Sequence, residues 1–429
     1  MQFAIFVRFD KKRTYNLDNM TAKSQNQAEA GRCLRCRNAR CTAACAVHTD
    51  VPAVMGLYKE EKLEEAASIL FKNNPFAAIT SQVCDWSKAC YGHCILNAKK
   101  IPVNWHSIEF EIAGEALFHT DIIPGDNNGR KVAVIGAGPA GIAAALWLRE
   151  AGFAVTVFDA NERPGGVLRY GIPEFRLERR YVDRYEAMMA DAGIVFQGCT
   201  ILGKDITVSG LRKEFDAVLI AAGAGIPRKL DIPGEESEKI IYALDYLKNP
   251  SGYKLGRKVL VIGGGNVTMD ACRTANRNGH DTWVYYRKSF ENMPANSREV
   301  EEAREEGVKF QLFEVPVEIR DGKAVMKYCE NVTRPDGRIS TKMIDGSEHE
   351  VDFDNMLVAI SAKVDMGVFG DELPEMTETG WPSVDEYQKT SLDNVYVAGD
   401  FILGPSTVVD AVASAKKAVR GIISSLSAN

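Results

Sequence analysis

Hydrophobic residues recur along this chain in two rhythms. KVAVIGAGPAGIAAALWLREAGFAVTVFDA, from Lys131, is an unbroken apolar and β-branched run, a glycine-rich turn, a helical stretch and a second apolar run ending at Asp159. That order predicts a strand, turn, helix and strand with both strands buried on two faces, a βαβ unit. The pattern returns from Arg257 to Lys288 as RKVLVIGGGNVTMDACRTANRNGHDTWVYYRK, about 125 residues later. DAVLIAAGAG (216–225), NMLVAISAK (355–363) and NVYVAGD (394–400) read as strands whose ends approach a cofactor, and STVVDAVASAKKAVRGIISSL (406–426) closes the chain at helical period.

Residues 1–125 follow the other rhythm. Stretches such as EEKLEEAASILFKNN (60–74) have helical spacing, no run of buried strands appears, and DIIPGDNNGR (121–130) reads as a linker. The chain is therefore expected to be α/β, with a helical domain over 1–125 followed by two Rossmann-like dinucleotide-binding domains.

Composition narrows the function. Of 429 residues, 45% are hydrophobic and 26% charged, the net charge is −6, and no apolar run reaches transmembrane length. No basic stripe interleaved with aromatics points to nucleic acid. MQFAIFVRFDKKR places apolar residues before charges, the reverse of a secretory signal, so a soluble, cytoplasmic protein is expected. Clustered thiols in that compartment hold metal or do redox work.

In the first unit Gly136, Gly138 and Gly141, with Pro139 and Ala140 opening the helix, fit the G-x-G-x-x-G pattern in its required strand-turn-helix setting. Glycines allow the tight turn and close backbone approach to a pyrophosphate, which the helix amino end attracts. Asp159, eighteen residues past Gly141, suits a ribose hydroxyl and repels a 2′-phosphate. The second unit has Gly263, Gly264 and Gly265, then Asn266 and Val267, but Thr268 at the third glycine position, which predicts a slightly wider helix–strand gap. Its strand ends at Arg287 and Lys288, cations suited to the 2′-phosphate of NADP.

Seven of ten cysteines lie within 33–94, spaced C-x2-C-x4-C-x3-C (33, 36, 41, 45) and C-x5-C-x3-C (84, 90, 94). Zinc ribbons use two CxxC pairs and one is present, whereas short unequal steps suit iron-sulfur clusters. Cys199, Cys272 and Cys329 are isolated and are expected to be packed. A CxxC disulfide reductase and a zinc-binding assembly module on a flavoprotein scaffold remain the alternatives at this point.

CLRCRNARCTAAC, CDWSKACYGHC and IPVNWHSIE, together with both glycine units, resemble the family of bacterial glutamate synthase small subunits and the N-terminal half of dihydropyrimidine dehydrogenase, from about residue 25 onward. The resemblance implies two 4Fe-4S clusters with interleaved ligands: Cys33, Cys36, Cys41 and Cys94 on one, and Cys45, Cys84, Cys90 and Glu109 on the other, with His93 or His106 as substitutes for Glu109. It implies a discontinuous FAD domain (126–250 and 366–429) interrupted by an NAD(P)H domain (251–365). Gly166, Leu168, Arg176, Gly223, Gly399 and Asp400 would contact FAD, and the helix at Thr407 and Val408 would direct its positive end at the flavin. It further implies that NADPH reduces FAD, that electrons leave singly through the clusters, and that a larger catalytic subunit accepts them. The chain departs from the family where Ala46 and Asp85 replace proline after cysteine, and where Ser361 and Lys363 stand for Gly and Gln. REVEEAREEG (298–307) reads as a solvated helix face, which the resemblance places beside the nucleotide.

Overall fold

In the computed structural model, which describes residues 6–7, 17–370 and 372–427, the first 120 residues are mostly helical. Apart from residues 6–7, the opening stretch read against a secretory signal lies outside the described residues. The helices are α1 (Leu17–Arg32), α2 (Val51–Lys59), α3 (Leu63–Asn73), α4 (Ala77–Val83) and α5 (Trp105–Ala116), with a short turn of helix at Arg40–Ala44. Asp50 caps α2 by accepting from the Ala53 N–H at 3.2 Å, which satisfies a donor the helix leaves unpaired. α3 turns Ala66, Ala67, Leu70 and Phe71 inward and keeps Glu64 and Glu65 in its first turn, where the helix dipole favours acids. α4 is buried over residues 77–81 and packs on α5, whose inward face carries Trp105, Ile108, Ile112 and Ala113.

Beyond the linker lies a five-stranded parallel sheet. Its strands are β1 (Lys131–Ile135), β2 (Ala154–Phe158), β3 (Val195–Gln197), β4 (Ala217–Ile220) and, from the end of the chain, β14 (Val395–Val397), in spatial order β14-β4-β1-β2-β3. β1 is central, with Val134 opposite Val157 on one side and Leu219 on the other. α6 (Pro139–Glu150) is buried from Pro139 through Leu148, apolar all round because α10 (Val408–Ser427) covers its outer side. The helical region belongs to the same compact unit. On α7 (Arg179–Asp191), the Tyr185 hydroxyl donates to the Pro75 carbonyl at 2.6 Å, while Lys416 Nζ donates to the Asn73 carbonyl at 2.9 Å and to Asn73 Oδ1 at 2.6 Å.

The second compact unit comprises residues 169–173 and 225–363, so along the chain it interrupts the first. Its parallel sheet has β5 (Ile240–Tyr242), β6 (Lys258–Ile262), β7 (Asp281–Tyr286), β8 (Lys309–Leu312) and β13 (Asn355–Val358), ordered β8-β7-β6-β13-β5. Sequence reading grouped residues up to 250 with the first unit, but β5 pairs with β13, Ile241 opposite Leu357, and this carries 225–250 into the second. An antiparallel meander, unread in the sequence, adds β9 (Glu314–Arg320), β10 (Lys323–Thr333), β11 (Ile339–Met343) and β12 (His349–Asp352).

The acidic stretch is not simply a solvated face. α8 (Asn266–Arg277) presents Arg273, with its side chain 4% exposed, to Glu299 at 2.7 Å and Glu302 at 2.8 Å on α9 (Ser297–Glu305), and to Glu306 at 2.6 Å. Removing one partner of a buried ion pair leaves charge stranded without solvent. Arg273→Ala should therefore cost about 3 kcal/mol, read as a lower urea midpoint at unchanged m-value. A loss under about 1 kcal/mol would show a surface-strength pair instead.

Candidate functional site

The first glycine turn is built by close approach. Gly136 has φ +99°, and a Cβ there would stand 2.3 Å from the Ala221 carbonyl oxygen. At Gly141 a Cβ would stand 1.8 Å from the Gly136 carbonyl oxygen, so α6 can lie against its own entry turn only without a side chain. Gly166 meets Gly138, a Cβ on the former falling 2.6 Å from the latter's Cα, and Gly399 approaches Ala140 with 2.8 Å between the two Cβ positions. The result is a floor bare of side chains at the amino end of α6, where Gly138 caps the helix without a side-chain bond and Pro139 opens it. This cradle fits a pyrophosphate.

Asp159 is 8% exposed and holds the turn itself. One oxygen accepts from the Ala137 N–H at 2.6 Å, the other from the Asn161 N–H at 2.7 Å and Nδ2 at 2.9 Å. An ionised carboxylate has about four acceptor positions, so capacity remains for the ribose hydroxyl expected there. Gly223 follows β4 at φ +74°, Leu168 is fully buried, and Arg176 is half-buried ahead of α7. Burial pushes the Asp400 carboxyl up to about 6 against a hydrogen bond from the Ser406 N–H, with Asp410 adding to the rise. Thr407 and Ser406 donate their hydroxyls to Asp410 at 2.5 and 2.8 Å, so the amino end of α10 already carries a carboxylate. The positive helix end that the resemblance directs at the flavin thus has Asp410 beside it. Sequence reading missed Ser414, whose Oγ accepts from the Gly399 N–H at 3.2 Å; nothing in a helical serine marks that role.

The second turn replaces a glycine by chemistry rather than distance. Thr268 is fully buried; its hydroxyl accepts from the Gly265 N–H at 3.2 Å and donates to the Ala359 carbonyl at 3.3 Å. Gly263, at φ +146°, would bring a Cβ within 2.4 Å of that same carbonyl oxygen. The widening expected from Thr268 is therefore met by bonds that bridge turn, helix and strand end. Gly264 lies under the Tyr286 ring, and Asn266 Oδ1 accepts from the Asn296 N–H at 2.8 Å. Val267 is half-buried on α8. Arg287 is exposed at the end of β7 and makes no ion pair among the described residues, whereas Lys288 Nζ is engaged by the Ile339 carbonyl at 2.7 Å. Ser361 has φ +107°, a conformation that favours glycine.

The seven clustered cysteines are all half-buried and free. Cys45 ends the turn at Arg40–Ala44 and Cys84 ends α4, both as helix caps. Gly92, where a Cβ would fall 1.8 Å from the Ser87 carbonyl oxygen, lets the loop between Cys90 and Cys94 fold tightly. Burial raises the Cys33 thiol, partly offset by the Arg35 N–H, and Cys36 and Cys94 raise it further. Burial pushes Cys41 up to about 11 against the Thr42 N–H, with Cys33 and Cys94 adding to the rise. Burial raises Cys84 and Cys90 much further; Glu109 and Cys45 add to the rise at both, with Cys90 and Asp410 adding at Cys84 and Cys41 adding at Cys90. Burial also pushes Glu109 up to about 8, opposed by a hydrogen bond from Trp105. The two sets of donors adjoin, with Cys41 near Cys90 as well as near Cys33 and Cys94, and clustered cysteines of this kind can hold a metal once deprotonated. No group of three His, Cys, Asp or Glu closes on one ion among the described residues. His93 Nδ1 lies 2.8 Å from the Ala89 carbonyl and His106 stacks on Trp86 at 3.9 Å, so each ring has other company. Of the isolated cysteines, Cys272 and Cys329 are buried as expected, but Cys199 is exposed, on a residue with φ +54°.

The family described as pyridine nucleotide-disulphide oxidoreductase matches residues 130–415, and that described as dihydropyrimidine dehydrogenase domain II, 4Fe-4S cluster, matches residues 10–119. The glutamate synthase [NADPH] small chain of Azospirillum brasilense is 34% identical over 92% of this chain and 88% of its own length; that of Escherichia coli is 32% identical over 94% and 92%. Mycobacterium tuberculosis FprA in complex with NADPH shares the fold at a TM-score of 0.60 and 19% identity, covering 70% of this chain and 85% of that one.

Proposed function

This chain belongs to the pyridine nucleotide-disulphide oxidoreductase family, alongside the small chains of glutamate synthase, and on that premise we propose that it delivers electrons from NADPH singly to a larger catalytic subunit. It is an NAD(P)H-dependent oxidoreductase that binds FAD, NADP and 4Fe-4S iron. In the proposal two clusters sit on the first 125 residues, one on Cys33, Cys36, Cys41 and Cys94, the other on Cys45, Cys84, Cys90 and Glu109. The observation that carries this is the match to the dihydropyrimidine dehydrogenase 4Fe-4S domain over residues 10–119, within which all eight donors lie.

A bound flavin accepts an electron pair as hydride and yields electrons one at a time, which joins nicotinamide to cluster chemistry. The chain's own part is positioning. The bare floor formed by Gly136, Gly138, Gly141 and Gly166 seats the FAD pyrophosphate, and Asp159 holds the turn while its remaining capacity meets the ribose. Gly263 to Val267 seat the second pyrophosphate, and Arg287 pairs with the 2′-phosphate. Among the described residues no helix is long and apolar enough to cross a membrane; we place the protein in the cytoplasm, where such thiols stay reduced.

Anaerobic affinity purification from the native host tests the partner. A larger polypeptide in stoichiometric amount, whose substrate is reduced at the expense of NADPH, is expected. A chain that purifies alone and reduces thioredoxin or a small disulfide at enzymatic rates would overturn the proposal.

A further inference from the structure

A concavity of about 910 Å³ lies on the surface beside the CxxC segment, lined among others by Arg35, Cys36, Arg37, Asn38, Arg40 and Asp50. The three arginines are exposed, and none forms an ion pair among the described residues. Asp50 is committed to capping α2. Leu34 stands beside them 62% exposed. Arg35, Arg37 and Arg40 fall within six residues of a chain whose net charge is −6.

Residues 46–48, next to Cys45, share a cavity of about 660 Å³ with Asp410 and Lys416 of α10, the helix whose start adjoins the candidate flavin end. Cys36 is therefore the cluster donor that opens on the arginine-lined surface.

We infer that this surface receives the acidic face of a one-electron acceptor protein, so that electrons leave the chain beside Cys36. The inference rests on the relay reading and adds to it the exit and the partner's charge. An exposed apolar residue beside a cationic rim suits a protein contact, and charge there steers the encounter. No Phe, Tyr or Trp lines the concavity and His48 is its one ring, so it lacks the row of aromatic rings on which successive bases of a strand stack. The balance is simple: each NADPH yields NADP+, a proton and two electrons, and two acceptor molecules are each reduced by one.

The test uses the anaerobic holoprotein with cytochrome b5, an acidic one-electron carrier, and cytochrome c, a basic one. NADPH-driven reduction of cytochrome b5 should fall as salt rises. Arg37→Glu with Arg40→Glu should lower kcat/KM for cytochrome b5 about tenfold and flatten its salt dependence, without lowering the rate for cytochrome c, while iron content and flavin bleaching by NADPH stay unchanged. Arg37→Gln with Arg40→Gln should move cytochrome b5 the same way by less, and carries the test if charge reversal disturbs the loop. Unchanged cytochrome b5 kinetics in variants with normal iron and bleaching would overturn the inference. So would single-stranded RNA binding that these variants abolish while cytochrome b5 reduction persists. A wild-type protein whose flavin bleaches but which reduces neither cytochrome would overturn the relay itself, and the exit with it.

Discussion

Serine in place of Cys90 should remove one iron-sulfur cluster and leave the other. Cys90 has Glu109, Cys45 and also Cys41 near it and adds to the rise at Cys84, whereas Cys36 is grouped with Cys33 and Cys94. Iron per flavin should fall from about eight to about four, and reduction of one-electron acceptors should drop more than about tenfold. Bleaching of the flavin by NADPH should persist, because the two glycine turns lie outside residues 33–94. The pairing is the sharper part of the prediction. Cys36→Ser and Cys94→Ser should delete one paramagnetic species from the reduced protein, and Cys90→Ser and Glu109→Ala the other. If Cys36→Ser and Cys90→Ser delete the same species, the interleaved assignment fails.

Arg287→Ala should separate the two nicotinamide cofactors. Arg287 is exposed and free of ion pairs among the described residues, so its guanidinium is available to a 2′-phosphate. A hydrogen bond to a charged group contributes about 1.5–3 kcal/mol, which predicts a fall of about 10- to 100-fold in kcat/KM for NADPH and little change for NADH. Lys288 is held by the Ile339 carbonyl, and its removal should matter less. Equal losses with NADPH and NADH would show that Arg287 does not read the 2′-phosphate.

What the sequence disclosed and what it hid follow from range. The two βαβ units were legible because strand, turn and helix are contiguous and their glycines answer to local sterics: Gly136 and Gly141 have no room for a side chain. Cysteine spacing likewise signalled metal chemistry within one short segment. The membership of β5 was not legible, because Ile240–Tyr242 is placed by pairing with a strand more than 100 residues later. REVEEAREEG read as solvated because the arginine that buries its inner face lies on another helix. Thr268 looked like a defect in a glycine pattern until its hydroxyl was seen to bridge Gly265 and Ala359. The carboxylate at the start of α10 was visible as a letter, but its grip on Ser406 and Thr407 was not.

The most direct test is metal and flavin analysis of holoprotein made without oxygen, followed by titration with NADPH under electron paramagnetic resonance. About one FAD with about eight iron and eight sulfide per chain is predicted, together with flavin bleaching and signals from two distinct reduced clusters. Bound FAD with no iron, or zinc in the thiol sites, would contradict the account.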